Sequence, residues 1–297
     1  MSESEKNPIT QGNEKSFSVF GAELARTPFV FSSPHSGRNY PASFVEKSRL
    51  SAHSLRKSED FMVDILFDHV CELGTPLLSA NFPRAYIDVN REPYELDPEL
   101  FDERLPRFAN TKSVRVAGGL GTIPRIVSES NEIYPNNLTV KEALDRISQF
   151  YMPYHTTLRK LLDQAHDCFG LAILIDCHSM PSTSHDNRRP DFVLGDRFGT
   201  FCNNLITCFV EQGLCDLNYN VIRNKPYAGG YITEHYGQPS KGHQALQIEI
   251  NRALYMDENN YQPTEGFHLL REDLKTLCGK IFSEIPDLLE VHREAAE

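Results

Sequence analysis

Residues 171–176, Leu-Ala-Ile-Leu-Ile-Asp, are apolar at every position but the last and run directly into Cys177-His178-Ser179. A short, continuously apolar run of this kind reads as a strand covered on both faces, which is the mark of a parallel sheet lying between helical layers. Segments 27–33 (TPFVFSS), 75–80 (TPLLSA), 84–90 (RAYIDVN), 191–195 (DFVLG), 220–223 (NVIR) and 245–251 (ALQIEIN) read as further strands. Helical spacing separates them. Residues 58–73 are apolar at Met62, Ile65, Leu66, Val70 and Leu73, with Ser58 as N-cap and Gly74 as stop. Thr139 and Glu142 have capping-box spacing ahead of a periodic run from Ala143 to Leu162, which Pro153 should kink. Further helices are expected near 199–212 and 264–283. Strands interleaved with helices of this length define an α/β protein, a mixed, mostly parallel sheet sandwiched by helices.

Neither linker nor repeat interrupts the pattern. Residues 1–15 are polar and read as a flexible tail, and 16–297 as a single domain. The 30 Lys and Arg against 41 Asp and Glu give a net charge of −11, which argues against a nucleic-acid partner while allowing a local basic pocket for an acidic small molecule. No apolar run approaches the roughly 18 to 20 residues of a membrane span, and the first residues lack a signal-peptide profile, so no membrane partner and a cytoplasmic location are expected. The seven cysteines include no C-x-x-C pair and sit mostly in apolar segments, against a disulfide framework or a thiolate zinc site. The P-loop, the dinucleotide fingerprint, H-E-x-x-H and G-x-S-x-G are all absent, which removes the main sequence support for nucleotide hydrolysis, zincin chemistry and an α/β-hydrolase triad.

Ligands of open α/β sheets gather at the carboxyl ends of the strands. Two strands end in similar phrases, Ser33-Pro34-His35-Ser36 and Asp176-Cys177-His178-Ser179, each placing a histidine just past the edge. Two imidazoles from separate strands suit a catalytic zinc, which takes three protein ligands and keeps one position open; loop histidines bonded to backbone are the alternative. Asp60 offers a carboxylate for the third position, or acts only on the dipole of its helix. Asp64 and Asp68 fit a solvated acidic face. In Ala245–Asn251, alternation puts Leu246, Ile248 and Ile250 on one face and Gln247 and Glu249 on the other. A carboxylate in a central strand needs a partner or a raised pKa, so Glu249 is either a general base or half of an ion pair with an arginine such as Arg252. Arg84, Arg91 (beside Asn90) and Arg125 follow strand segments, as recognition of a dianion would require, although surface salt bridges serve equally. The loop Pro226–Tyr231, with paired glycines, could bring backbone N–H groups to a ligand or move as a lid.

The phrases SSPHSGRNYP (32–41), RAYIDVNREPYELDP (84–98), GLGTIPRIV (119–127), ILIDCHSMPS (173–182), RPDFVLGDRFGTFC (189–202), NKPYAGGYITEHYG (224–237) and ALQIEINRALYM (245–256) resemble the N-formylglutamate amidohydrolases over about residues 28–290. The resemblance implies a zinc-exopeptidase-like fold, similar to zinc carboxypeptidases and aspartoacylases. It also implies hydrolysis of N-formyl-L-glutamate to formate and L-glutamate, in histidine degradation, with one Zn2+ as cofactor and a small dianionic N-acyl amino acid as substrate. Carried over by position, it implies His35, Asp60 and His178 as metal ligands, Glu249 as the water-activating glutamate, and Asn90, Arg91 and Arg84 as the substrate-carboxylate clamp. Zinc carboxypeptidases take a Glu three residues after the first ligating histidine; Arg38 stands there in this chain, so the carboxylate ligand has to come from elsewhere. A hydrolase of another N-formyl or N-acyl amino acid, and a non-catalytic binder of an acidic metabolite, are the competing readings.

Overall fold

The apolar run at 171–176 lies inside a longer strand, β4 (Ala172–Met180), in which all nine residues are buried. The computed structural model describes residues 15–21, 26–127, 131–182 and 190–294, so almost all of the expected tail over 1–15 lies outside the described residues. The sheet contains β1 (Phe17–Phe20), β2 (Phe29–Ser33), β3 (Leu77–Ala80), β4, β5 (Phe192–Gly195), β6 (Val221–Arg223) and β7 (His243–Asn251) in the order β1-β3-β2-β4-β7-β5-β6. β2 runs parallel to β3 and β4, and β4 runs parallel to β7. β5 is antiparallel to β7 and carries β6 parallel to itself, so the sheet is mixed and mostly parallel.

Alternation along these strands divides the sheet into two chemically different faces. Phe29, Phe31, Ile173, Ile175, Leu246, Ile248, Phe192 and Leu194 point to one side, where they form a core with Ile206, Val210 and Leu214 of helix Asn204–Asp216 and Leu270, Leu274 and Leu277 of helix Gly266–Glu294. Each fully buried side chain of this size contributes roughly 1.5–3 kcal/mol, so this face anchors the sheet. The other face carries Ser32, Asp176, His178, Gln247 and Glu249, all buried, with the short helix Tyr231–Tyr236 packed against β4 and β7. Burying that many polar groups opposes folding, and such a face persists where the groups partner one another.

Three segments differ from their periodicity. Residues 58–73 do not form one helix but a four-residue helix Val63–Leu66 followed by a 3-10 turn Asp68–Cys71. The cause is long-range: the Asp60 N–H donates to the His35 carbonyl at 3.0 Å, and Met62 turns left-handed (φ 55°), so a helix cannot run through residue 60. Val63, Leu66 and Val70 still face the core, which is why the spacing read as amphipathic. RAYIDVN is not a strand. It runs through turns in which Asn90 N–H donates to the Asp88 carboxylate at 2.8 Å while Ile87 and Val89 are buried. The capped helix Val140–Arg146 widens to a π-turn over Ile147–Tyr151 before continuing as Met152–Phe169, so the chain changes its hydrogen-bonding pattern just ahead of Pro153, which lacks an N–H.

The chain divides into two compact units. One comprises the described residues within 1–18, 37–59 and 80–154, and the other those within 19–36, 60–79 and 155–297. The first is organised around buried Arg146, which donates to Tyr134 Oη at 2.7 Å and Glu142 Oε1 at 2.6 Å and lies 4.1 Å from the Tyr86 ring centroid. The second holds strands β2 and β4–β7 with their apolar core.

Candidate metal centre and arginine cluster

His35, Asp60 and His178 meet in the second unit. β2 ends at Ser33, and the following turn places His35 where its carbonyl receives the Asp60 N–H, so the bond that breaks the helix also delivers the Asp60 side chain. His178 lies inside β4 rather than past its end, because β4 pairs with β7 through Met180 and sets His178 in register with Glu249. Asp60 Oδ2 lies 3.0 Å from His178 Nδ1 and 3.4 Å from His35 Nδ1. The two rings are 4.8 Å apart between centroids. Asp60 Oδ1 accepts from Ser179 Oγ and from Arg252 Nη2, each at 3.3 Å. His178 Nε2 lies 2.9 Å from Asp176 Oδ2.

One donor atom from each of His35, Asp60 and His178 lies within 4.8 Å of the others, and all three residues are buried, so the cluster could hold a metal ion. Two imidazoles and one carboxylate form a three-ligand set of the kind catalytic zinc takes. The outer contacts fit as well: a ligating histidine usually directs its second ring nitrogen to a carboxylate, as His178 does to Asp176. Burial pushes the Asp60 carboxyl up, but hydrogen bonds from His178 and His35 outweigh it and hold the group well below the usual carboxylate range. Burial likewise opposes the His178 imidazolium, yet Asp176 and Asp60 raise its pKa well above that of an ordinary histidine. A divalent cation is the natural counter-charge for such an acid-rich pocket.

Glu249 is in register with His178 on one side and Val193 on the other, on the same sheet face as Asp176. Its Oε1 accepts a 2.8 Å hydrogen bond from Gln247 Nε2. Arg252, weighed from sequence as a partner for Glu249, directs Nη2 to Asp60 and Nε to Ser179 Oγ at 3.1 Å, with Nη1 3.7 Å from Glu258. The glycine loop Pro226–Tyr231 sends the Gly230 N–H to Gln247 Oε1 at 2.7 Å.

Arg84, Asn90 and Arg91 gather in the first unit around Asp88. The Asp88 Oδ2 lies 2.9 Å from Arg84 Nε and 3.4 Å from Arg91 Nη2. Arg91 also donates from Nε to the Leu120 carbonyl at 2.9 Å and from Nη1 to the Asn90 carbonyl at 2.7 Å. Burial lowers its pKa to about 10, which leaves it charged at neutral pH. These contacts fix the guanidinium plane without using all five of its N–H groups. Arg125 is engaged differently, by Asp97 at 2.8 Å, Glu99 at 3.0 Å and Glu132 at 3.3 Å, which matches the salt-bridge reading of that residue.

Asp176, Ser179, Gln247 and Asp88 all hold or flank the candidate side chains without having a role assigned from sequence, and Arg252, weighed there only as a partner of Glu249, reaches Asp60 instead. A signal existed for two of them. Strand alternation puts Asp176 on the face of His178, and Gln247 on the face of Glu249. Arg252 and Ser179 reach Asp60 across sequence separations that no local pattern encodes.

Fold and site together define an α/β protein with a mixed, mostly parallel sheet and a buried histidine–carboxylate cluster able to hold a metal. The profile of the N-formylglutamate amidohydrolase family matches residues 27–256. The chain is 32% identical over 263 residues to N-formylglutamate deformylase of Pseudomonas putida, covering 86% of this chain and 90% of that one. It is 28% identical to the deformylase of the same description from Pseudomonas aeruginosa, over 81% of this chain and 86% of that one. The crystal structure of N-formylglutamate amidohydrolase from Ralstonia eutropha superposes with a TM-score of 0.85 at 36% identity, covering 90% of this chain and 97% of the other. The chain belongs to the N-formylglutamate amidohydrolase family and is an amide hydrolase. Among the described residues, no helix is long and apolar enough to cross a membrane.

Proposed function

We propose that the protein hydrolyses N-formyl-L-glutamate to formate and L-glutamate, a step of histidine degradation, with one zinc ion held by His35, Asp60 and His178. The observation that carries this reading is the turning of His35 Nδ1 and His178 Nδ1 toward a single oxygen of Asp60 in a buried site. When bound, zinc supplies Lewis acidity, which makes water a better acid and polarises a carbonyl oxygen.

The chain's own residues do the rest. Glu249 takes a proton from the attacking water and returns it to the departing amine, so its carboxylate ends the cycle as it began. The C–N bond breaks, the water oxygen stays with formate, and the nitrogen leaves as the amine of glutamate. Ser179 and Arg252 donate to Asp60 Oδ1, which leaves Oδ2 facing the two histidines. Arg91, with Asn90 and Arg84, binds the substrate carboxylates, and the contacts to Asp88, Leu120 and Asn90 pre-orient its guanidinium. We place the protein in the cytoplasm, a location supported by Cys177, Cys202 and Cys278 being buried free thiols. The test is formate release from a panel of N-formyl and N-acyl amino acids. N-formylglutamate should be the best substrate by kcat/KM, and a better neutral N-acyl amino acid would overturn the substrate assignment.

A further inference from the structure

The polar sheet face carries one side chain that links the glycine loop to Glu249. Gln247 is buried, and its amide orientation is fixed by its neighbours. The Gly230 N–H can only donate and does so to Oε1 at 2.7 Å, so the amide nitrogen must face Glu249, whose Oε1 accepts from it at 2.8 Å. The approach of the loop depends on Gly195, which is in register with Gln247 on β5. A Cβ there would lie 2.6 Å from Gly229 N and 2.7 Å from the Ala228 carbonyl carbon, closer than real contacts allow. The bare backbone of Gly195 therefore lets the loop lie on the strand and reach Gln247.

We propose that Gln247 is a positioning residue for the hydrolytic reaction, its amide relaying the Gly230 N–H to Glu249 and fixing the direction of that carboxylate. The proposal rests on the reading of Glu249 as the base. A buried carboxylate on a flexible two-methylene stem has several rotamers open to it, and a hydrogen bond along the strand selects one before substrate arrives. Because the donor is itself held by backbone, the selected rotamer is tied to the sheet and the loop together.

The test uses Gln247→Met and Gln247→Ala in the metal-loaded enzyme, with Glu249→Gln measured alongside. Misplacing a catalytic group by about 1 Å costs up to roughly 10²-fold, so kcat is expected to fall about 10- to 100-fold in both Gln247 variants. KM and metal content per chain should stay at wild-type values. The melting temperature should fall by a few degrees because the Gly230 N–H loses its acceptor, so kcat is measured well below it. A large kcat loss in fully folded, fully loaded enzyme is a split that a merely structural role would not produce. A kcat that stays near wild type, or one that falls only in step with metal content or the folded fraction, overturns the proposal and leaves the base assignment standing. Wild-type turnover in Glu249→Gln overturns the base assignment, and the proposal with it.

Discussion

Nε2 of His178 lies 2.9 Å from Oδ2 of Asp176, two residues earlier on the same strand and on the same face of the sheet. The imidazole is thereby held between two carboxylates, with Nδ1 3.0 Å from Asp60. Asp176 is fully buried, and its Oδ1 has no hydrogen-bond partner among the described residues, so the contact of Oδ2 with His178 has to offset the desolvation of the side chain. Asp176→Asn keeps the shape and replaces the carboxylate with an amide. Zinc affinity measured by competition with a chromogenic chelator should weaken about 10- to 100-fold, and unchanged affinity would show that Asp176 does not support the centre.

Glu249→Gln preserves the volume and the sheet register but cannot accept a proton from water. Zinc content should remain that of the wild type, while kcat for formate release falls by about 10²- to 10⁴-fold. Turnover within a few-fold of wild type would remove Glu249 as the base.

Arg91→Ala removes a guanidinium that its surroundings hold in one plane. The value of kcat/KM for N-formylglutamate should fall at least about tenfold, and that for an analogue with both carboxylates converted to amides should hardly change. An equal loss on both substrates would place Arg91 outside carboxylate recognition.

Glu142 gives a pH-dependent contribution to stability in the first unit. Burial pushes its pKa up, but Arg146 and then Lys47 outweigh it, so the folded pKa lies below the ordinary glutamate value. A depressed folded pKa means that the stabilisation is fully present above the unfolded pKa and disappears as pH falls through the folded one. Glu142→Gln should therefore cost about 1 kcal/mol or less in urea unfolding at pH 7. The gap between variant and wild type should close under acid conditions well below the ordinary glutamate pKa. A gap of the same size at both pH values would contradict the assignment.

The sheet was largely legible because its central strands are continuous apolar runs, and the chemistry along them was legible where alternation sorted the residues, as with Glu249 opposite Ile248. Long-range bonds set what remained hidden. The Asp60 side chain reaches the histidines because its N–H is tied to the His35 carbonyl, and that bond replaces the continuous helix that the spacing of 58–73 suggested. RAYIDVN alternates like a strand, yet Asp88 gathers Arg84, Asn90 and Arg91 around one carboxylate, which turns the backbone away from any sheet. The continuous apolar run stops at Ile175, which sets His178 past the end of the strand in sequence, whereas pairing with β7 carries β4 on to Met180.

The most direct test of the account is zinc stoichiometry measured with formate release, on the wild type and on His178→Ala. The wild type should carry one zinc per chain, lose activity on chelation and regain it with added zinc, and His178→Ala should lose metal and activity together. Full activity in metal-free wild type, or an undiminished zinc content in His178→Ala, would contradict it.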